Sequence, residues 1–365
     1  MNLGSSSTLA TTTASQTPAS PQIVPETDAP TGRPAPLLTA TDLHVTFGQG
    51  PTAIQAVRGV SLTIPTGQTL ALVGESGCGK STTARALLQL LRPTAGEVHF
   101  AGQELTRLWR RRLGRWIWGP ELRQLRRHMQ LVFQDPYASL NPRMTVFELI
   151  AEPLRAFDVA RGAALQARVA DALERVGLDP GMQGRYPHAF SGGQRQRLGI
   201  ARALTLAPRL LVADEPISAL DVSIQAQILN LLADLQDSLG LTYLLVAHDL
   251  AVVRHFSREV AVMYRGRIVE AGSTEAVFAG DGHPYTRSLL AAAGDRQQPA
   301  PAAAALQRNP VPGLAPLATA VVDPQGCAYA PACAERLPIC AHVLPPLVQL
   351  GGGRVAHCHW LAQRA

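Results

Sequence analysis

Four short runs govern what this chain can fold into: "TLALVG" at 69–74, "LVFQ" at 131–134, "LLVADE" at 210–215 and "LLVAH" at 244–248. Each is apolar at successive positions, so it presents apolar side chains to both faces of a sheet. A strand of that kind is stable only where both faces are covered. The segments between the runs supply the cover. Residues 165–176 place Leu165, Val169, Leu173 and Val176 on one helical face; 224–239 do the same with Ile224, Ile228, Leu231, Leu232, Leu235 and Leu239, and Gly240 is the stop. The expected fold class is α/β with a mostly parallel core sheet. Each run ends in a glycine or a polar residue, and in open α/β sheets ligands sit at the carboxyl ends of the strands.

The first run leads into "GESGCGKST", which fits G-x-x-x-x-G-K-[ST] with Gly74, Gly79, Lys80 and Ser81 in register. A helix expected from about Ser81, burying Ala84, Leu87, Leu88 and Leu91, aims its first N–H groups into the loop. Glycines let backbone approach a phosphate chain, Ser81 offers a hydroxyl to Mg²⁺, and Lys80 reaches the β- and γ-phosphates. Lys80 is the one lysine in a chain with thirty-two arginines. A compact ammonium fits inside a closed loop where a flat guanidinium does not. Cys78 reads as a small side chain within the loop. Asp214 and Glu215 end a buried strand, where an aspartate holds Mg²⁺ and a glutamate orients or deprotonates the attacking water. Ser191, Gly192 and Gly193 open a further helix and offer a hydroxyl and N–H groups to an anion; close packing of small residues is the competing reading of that stretch.

"SGGQRQR" at 191–197 resembles the signature motif of ATP-binding-cassette (ABC) ATPases, and the order of lysine loop, Gln134, signature, Asp214-Glu215, "SALD" at 218–221 and His248 is the order of that family. The resemblance covers about residues 38–290. It implies a P-loop fold with an antiparallel β subdomain and a helical subdomain at about 135–200. It implies that ATP is held by Gly74, Glu75, Ser76, Gly77, Cys78, Gly79, Lys80, Ser81 and Thr82, with Phe47 stacked on adenine. Mg²⁺ is then held by Ser81, Gln134 and Asp214, catalysis involves Glu215, His248, Lys80 and Gln134, and Asp221 lies at a dimer interface. Ser191, Gly192, Gly193 and Gln194 would complete the ATP site of a second ABC ATPase subunit, identical or different.

"VFQDPYASLNPRMTV" at 132–146, "RYPHAFSGGQRQRLGIARAL" at 185–204, "DEPISALDVSIQAQILNLL" at 214–232 and "HPYTRSLL" at 283–290 are similar to the ATPase subunits of dipeptide, oligopeptide and nickel importers. That likeness implies two transmembrane permease subunits, an extracytoplasmic solute-binding protein working through them, and a peripheral place on the cytoplasmic side of the membrane. Peptide import is the expected function. A nickel or other solute importer, and a non-transport ATPase acting on nucleic acid, are the alternatives; a metal-dependent sensor with a vestigial ATPase is a third. Beyond "HPYT", the chain carries Cys327, Cys333, Cys340 and Cys358, similar to a segment that in some members holds a [4Fe–4S] cluster. By chemistry alone four thiolates suit either such a cluster or Zn²⁺, with His342, His357 and His359 nearby, and unligated cysteines are the remaining reading.

Composition frames these expectations. Residues 1–36, poor in charge and rich in Ser, Thr, Ala and Pro, read as a disordered arm. Residues 37–295 read as the ATPase domain, 296–316 as a Pro/Ala-rich linker and 317–365 as the Cys-rich extension. No run reaches the roughly 18 apolar residues of a spanning helix, and the formal charge of +6 favours anionic partners without naming one. Residues 107–127 hold eight arginines with Trp109, Trp116 and Trp118. A solvated, charged insertion is the expectation there, ahead of nucleic-acid or lipid contact.

Overall fold

The computed structural model describes residues 34–294 and 325–364. Most of the arm expected over 1–36 and all of the linker expected over 296–316 lie outside the described residues; Pro36 already begins the first strand.

Two sheets organise the chain. An antiparallel sheet has the order β2 (Ile54–Pro65), β1 (Pro36–Phe47), β4 (Ala95–Phe100), β5 (Gln103–Glu104). The larger sheet runs β13 (Leu347–Leu350), β14 (Arg354–His357), β12 (Arg267–Ser273), β11 (Glu259–Tyr264), β3 (Thr69–Val73), β10 (Thr242–Ala247), β9 (Leu210–Asp214), β8 (Met129–Val132). From β11 to β8 every pairing is parallel. A separate hairpin joins β6 (Trp109–Arg112) to β7 (Arg115–Trp118).

The uninterrupted apolar runs serve two cores at once. Ala71 and Val73, Leu211 and Ala213, Leu245 and Ala247 enter the core shared with the helices α4 (Val146–Ala156), α5 (Gly162–Arg175), α6 (Gly192–Leu204) and α7 (Val222–Leu239). Their alternates, Leu70 and Leu72, Leu210 and Val212, Leu244 and Val246, enter the core under the antiparallel sheet and α1 (Lys80–Leu87). Each fully buried Leu or Val contributes about 1.5–3 kcal/mol, so neither layer can be peeled off the sheet cheaply. Parallel register then sets the strand ends side by side: Val73 pairs with Ala247, Val246 with Asp214, and Ala213 with Val132.

Three expectations shift. The helix after the lysine loop stops at Leu87, and Leu91 lies beyond it, half-buried. Gln89 turns the chain there at φ 54° and hydrogen-bonds its amide to the Ala86 carbonyl and the Trp109 indole N–H. The strand expected over 131–134 occupies Met129–Val132 instead. Gln130 ends its polar reach on the Arg126 and Arg127 carbonyls, while Phe133 and Gln134 project beyond the sheet. On α7, Leu229 is buried and Leu239 is exposed at the Gly240 cap, so the apolar face is rotated slightly from the expected one.

The Arg/Trp insertion is a hairpin turned at Leu113 and Gly114, both with positive φ. It is followed by α2 (Pro120–Arg126). Its indoles lie against the body, with Arg92 over Trp116 at 3.7 Å and Arg126 over Trp118 at 3.9 Å. A short helix, α3 (Pro136–Ser139), precedes α4, and α8 (Leu250–Phe256), α9 (Thr274–Phe278) and α10 (Pro284–Ala292) follow β10, β12 and the "HP" turn.

The segment after residue 324 joins this body. β14 adds an antiparallel edge to β12, pairing Ala356 with Glu270 and Val355 with Ala271. Arg354 is buried and reaches Glu270, Asp281 and the Ala276 carbonyl. Glu270 in turn accepts the His283 N–H at 2.8 Å. His283 is itself the cap of α10, its Nδ1 accepting the Tyr285 N–H at 3.0 Å.

Burial, reinforced by the charges of His357 and Arg287, pushes His283 down to about 3. Below its ordinary value of 6.5 the unfolded chain binds a proton that the folded chain refuses, so stability falls as pH drops from about 6.5 towards about 3. His283→Asn keeps an acceptor at the cap without the titration. Thermal melts from pH 7.5 to 4.5 are expected to show a shallower loss of Tm for this variant than for the parent chain, despite its lower Tm at neutral pH.

Candidate functional site

The loop between β3 and α1 is closed by steric necessity. Gly74 sits at φ 150°, and a Cβ there would lie 2.1 Å from the Met263 carbonyl oxygen; at Gly79, φ 111°, a Cβ would lie 2.4 Å from that of Ala56. Both contacts are to backbone, so neither can be relieved by a rotamer. Inside the loop Lys80 is 5% exposed, and its Nζ donates to the carbonyls of Gly74 at 2.7 Å and Glu75 at 2.9 Å. The ammonium is thus satisfied by the loop that a phosphate would enter. Cys78 is buried and its thiol is raised by that burial, which keeps it neutral and supports its reading as a small filler.

The adjacent strand ends deliver acidic and polar groups to the same edge. Ser81 donates its hydroxyl to Asp214 at 2.9 Å. Burial raises the Asp214 carboxyl and the Ser81 bond partly offsets it, so a cation at this point would favour the ionised form. Glu215 adopts φ 48°, an uncommon backbone state for a residue with a side chain, and its N–H is tied to the Val246 carbonyl at 2.9 Å. That geometry aims its carboxylate at two partners. Gln134 Nε2 donates to it at 2.8 Å, and His248 Nδ1 stands 3.2 Å away. Gln134, Glu215 and His248, which follow the carboxyl ends of β8, β9 and β10, therefore form one cluster.

Other sequence candidates lie apart from it. Phe47 is 44% exposed and so is no core residue; it pairs with Ile54, two positions before the Ala56 that abuts Gly79. Ser191 caps α6 in a reciprocal box with Gln194, at 3.0 and 3.3 Å, and remains exposed. At Gly193 a Cβ would meet Ile224 at 2.5 Å, so the close-packing reading holds for that glycine. Asp221 is exposed at the start of α7, next to Leu220, whose side chain faces Gly192.

A groove of about 390 Å³ opens beyond β8, lined by Trp118, Leu131, Phe133, Leu140, Phe157 and Arg202 among others. Phe133, expected within the strand over 131–134, lines this groove instead, and the sequence carries no signal for it. Sequence reasoning also missed Tyr285, whose hydroxyl accepts the Glu75 N–H at 3.1 Å across 210 residues of sequence.

Downstream, Cys340 and Cys358 are buried and Cys327 and Cys333 partly so. Burial and the neighbouring charges of Cys327, Cys358 and Cys340 push Cys333 up to about 12. The four sulfurs therefore share one neighbourhood. Among the described residues, the one trio of His, Cys, Asp or Glu with ligand atoms all within 4.8 Å is Glu97, His99 and Glu104, on the antiparallel sheet, so no three of the sulfurs are that close. No described helix is long and apolar enough to cross a membrane.

The ABC transporter family matches residues 57–218, and the oligopeptide/dipeptide transporter C-terminal region matches residues 269–340. A probable peptide ABC transporter ATP-binding protein of Sinorhizobium fredii is 49% identical over 312 residues, 86% of this chain and 84% of its own. The oligopeptide transport ATP-binding protein AppF of Bacillus subtilis is 42% identical over 84% of this chain and 89% of its own. Among solved structures, a dimeric ATP-binding cassette in a post-hydrolysis state with ADP and phosphate aligns at TM-score 0.57 and 29% identity, covering 65% of this chain and 98% of that one. The loop, the strand ends and the matched segments agree, and the chain belongs to the ABC transporter family as one of its ATP-binding cassettes, carrying the C-terminal region of the oligopeptide/dipeptide transporters.

Proposed function

We infer that this chain hydrolyses ATP to energise the import of peptides. It works as one of a pair of ATPases on the cytoplasmic face of a membrane, with two permease subunits supplied by an extracytoplasmic binding protein. The relatives named for peptide import support the substrate class. One observation carries the catalytic reading: the Glu215 carboxylate, fixed by its strained backbone, faces Gln134 and His248 at the edge where Ser81 meets Asp214.

The Ser81 hydroxyl and the Asp214 carboxylate are hard oxygen donors suited to Mg²⁺, with Gln134 as a further oxygen ligand. When bound, that ion neutralises charge on the β- and γ-phosphates. Lys80 exchanges the Gly74 and Glu75 carbonyls for phosphate oxygens, and Gly74 to Thr82 wrap the chain of phosphates with N–H groups. Phe47 stacks on the adenine. Glu215 orients the attacking water and accepts its proton, while His248 contacts the γ-phosphate. Ser191, Gly192, Gly193 and Gln194, with Asp221, serve the nucleotide of the partner ATPase; the dimeric, ADP-bound relative supports that assembly. Loss of the γ-phosphate removes contacts made only in the closed pair, and the pair opens. The groove beside Gln134 receives a permease segment, so opening is transmitted to the membrane.

The cysteine group fits a [4Fe–4S] cluster. Four thiols meet in one partly dry neighbourhood, and their mutual repulsion as thiolates is what a cationic metal core relieves. The cluster would brace the extension, and the nucleotide chemistry requires no electron from it.

Two expected outcomes follow from these roles. Lys80→Ala weakens ATP binding at least about tenfold, as loss of a charge-assisted contact implies, whereas Glu215→Gln binds ATP normally, turns over less than about 1% as fast and elutes as a dimer with ATP. Equal loss of binding in both, by calorimetry, contradicts the assignment. Protein prepared without oxygen carries about four iron atoms per chain with iron–sulfur absorbance; zinc alone, by elemental analysis, overturns the cluster.

A further inference from the structure

Glu75 holds the phosphate loop from both sides of one residue. Its carbonyl receives Lys80 Nζ at 2.9 Å, and its N–H is donated to Tyr285 Oη at 3.1 Å. Tyr285 stands at the start of α10, is 2% exposed, and belongs to none of the phosphate-binding motifs. The Glu75 N–H and the Gly74 carbonyl, which receives Lys80 Nζ at 2.7 Å, belong to one peptide unit, so the Tyr285 hydroxyl holds the unit that Lys80 grips.

Tyr285 is in turn fixed by the segment that carries the cysteines. Its ring packs against Tyr329 at 5.4 Å between centroids and against Tyr264 at 4.5 Å, while Tyr264 and Tyr329 meet edge to face at 5.3 Å. Tyr329 Oη hydrogen-bonds Ser288 Oγ on α10 at 3.1 Å. Two residues before Tyr329, the Cys327 carbonyl accepts the Ala330 N–H at 3.0 Å, and the Cys327 N–H donates to the Cys340 carbonyl at 2.8 Å. Between the sulfur group and the phosphate loop there are thus two aromatic side chains in direct contact.

We propose that Tyr285 is a positioning residue for the phosphate loop, and that through Tyr329 it makes ATP affinity depend on how the cysteine-bearing extension is packed. The inference rests on the ATP reading above but not on which metal the cysteines hold. Tyr285→Phe keeps the ring and its packing and removes only the acceptor for the Glu75 N–H. A role in packing alone would leave this variant unchanged.

The test uses the full chain and a fluorescent ATP analogue. In Tyr285→Phe the dissociation constant and the KM for ATP rise about three- to tenfold, the range for losing one hydrogen bond, while kcat stays within about twofold. Tyr329→Leu, which withdraws the supporting ring, raises the dissociation constant in the parent chain and adds nothing in the Tyr285→Phe background. If Tyr329→Leu does not fold, Ser288→Ala enters the same cycle, since it releases the Tyr329 hydroxyl. Unchanged affinity in Tyr285→Phe overturns the positioning role, and additive effects in the cycle overturn the link to the extension. A parent chain that binds no ATP at all would instead sink the ATP reading itself.

Discussion

A buried ammonium held by two backbone carbonyls is the interaction on which the rest of this molecule depends. Lys80 is enclosed by its own loop, and the loop can enclose it because Gly74 and Gly79 let the chain press against the carbonyls of Met263 and Ala56. A lysine in that position is stable without a ligand, which avoids the large cost of an unpaired buried charge. In the proposed function the same carbonyl bonds are exchanged for phosphate oxygens of greater charge. Closure of the loop against β2 and β11 also makes the site sensitive to whatever moves those strands.

The parallel sheet gathers further polar groups beside that loop. In-register pairing from β8 through β9 and β10 to β3 sets Gln134, Glu215, His248 and the lysine loop on one edge. Each comes from a different strand, and none could be positioned by its neighbours in sequence. Ser191 and Asp221 stand outside this cluster, exposed at the starts of α6 and α7. Their helices touch through Gly193 and Ile224, and Gly192 faces Leu220, so the two groups form one presenting surface. In the proposed pair of ATPases, this exposed surface is the part that would face the nucleotide of the partner, whether identical or different.

How far this was legible in the sequence follows from the range of the interactions. The four apolar runs could be read as doubly covered strands because alternate residues do enter two different cores, as Ala71 and Leu72 show. The lysine loop, Asp214 and Glu215 were legible because their spacing encodes local backbone geometry. The β8 boundary was not: the run 131–134 reads as a strand ending in Gln134, but the strand occupies Met129–Val132, and Phe133 lines the groove. Leu91 left the helix because Gln89 found a tertiary partner in Trp109, which no periodicity reports. The Arg/Trp stretch reads as a charged insertion, and its fold depends on two positive-φ residues and on the stacking of Arg92 and Arg126. Tyr285 was quoted only within "HPYT"; its bond to Glu75 spans most of the cassette.

The extension is attached in a way that separates anchoring from signalling. Its anchor is β14, which extends the core sheet at β12 and is locked by Arg354 against Glu270. Truncating either partner of a buried pair strands the other charge, so this joint resists sliding. Its second contact is of a different kind. Tyr329 meets Tyr264 and Tyr285 through ring packing, which is non-directional and tolerates small displacements better than an ion pair does. A rigid anchor beside an adjustable contact lets the cysteine segment alter its packing without detaching. Tyr285 ends on the Glu75 N–H of the peptide unit whose Gly74 carbonyl holds Lys80, so the adjustable contact lies one hydrogen bond from that unit.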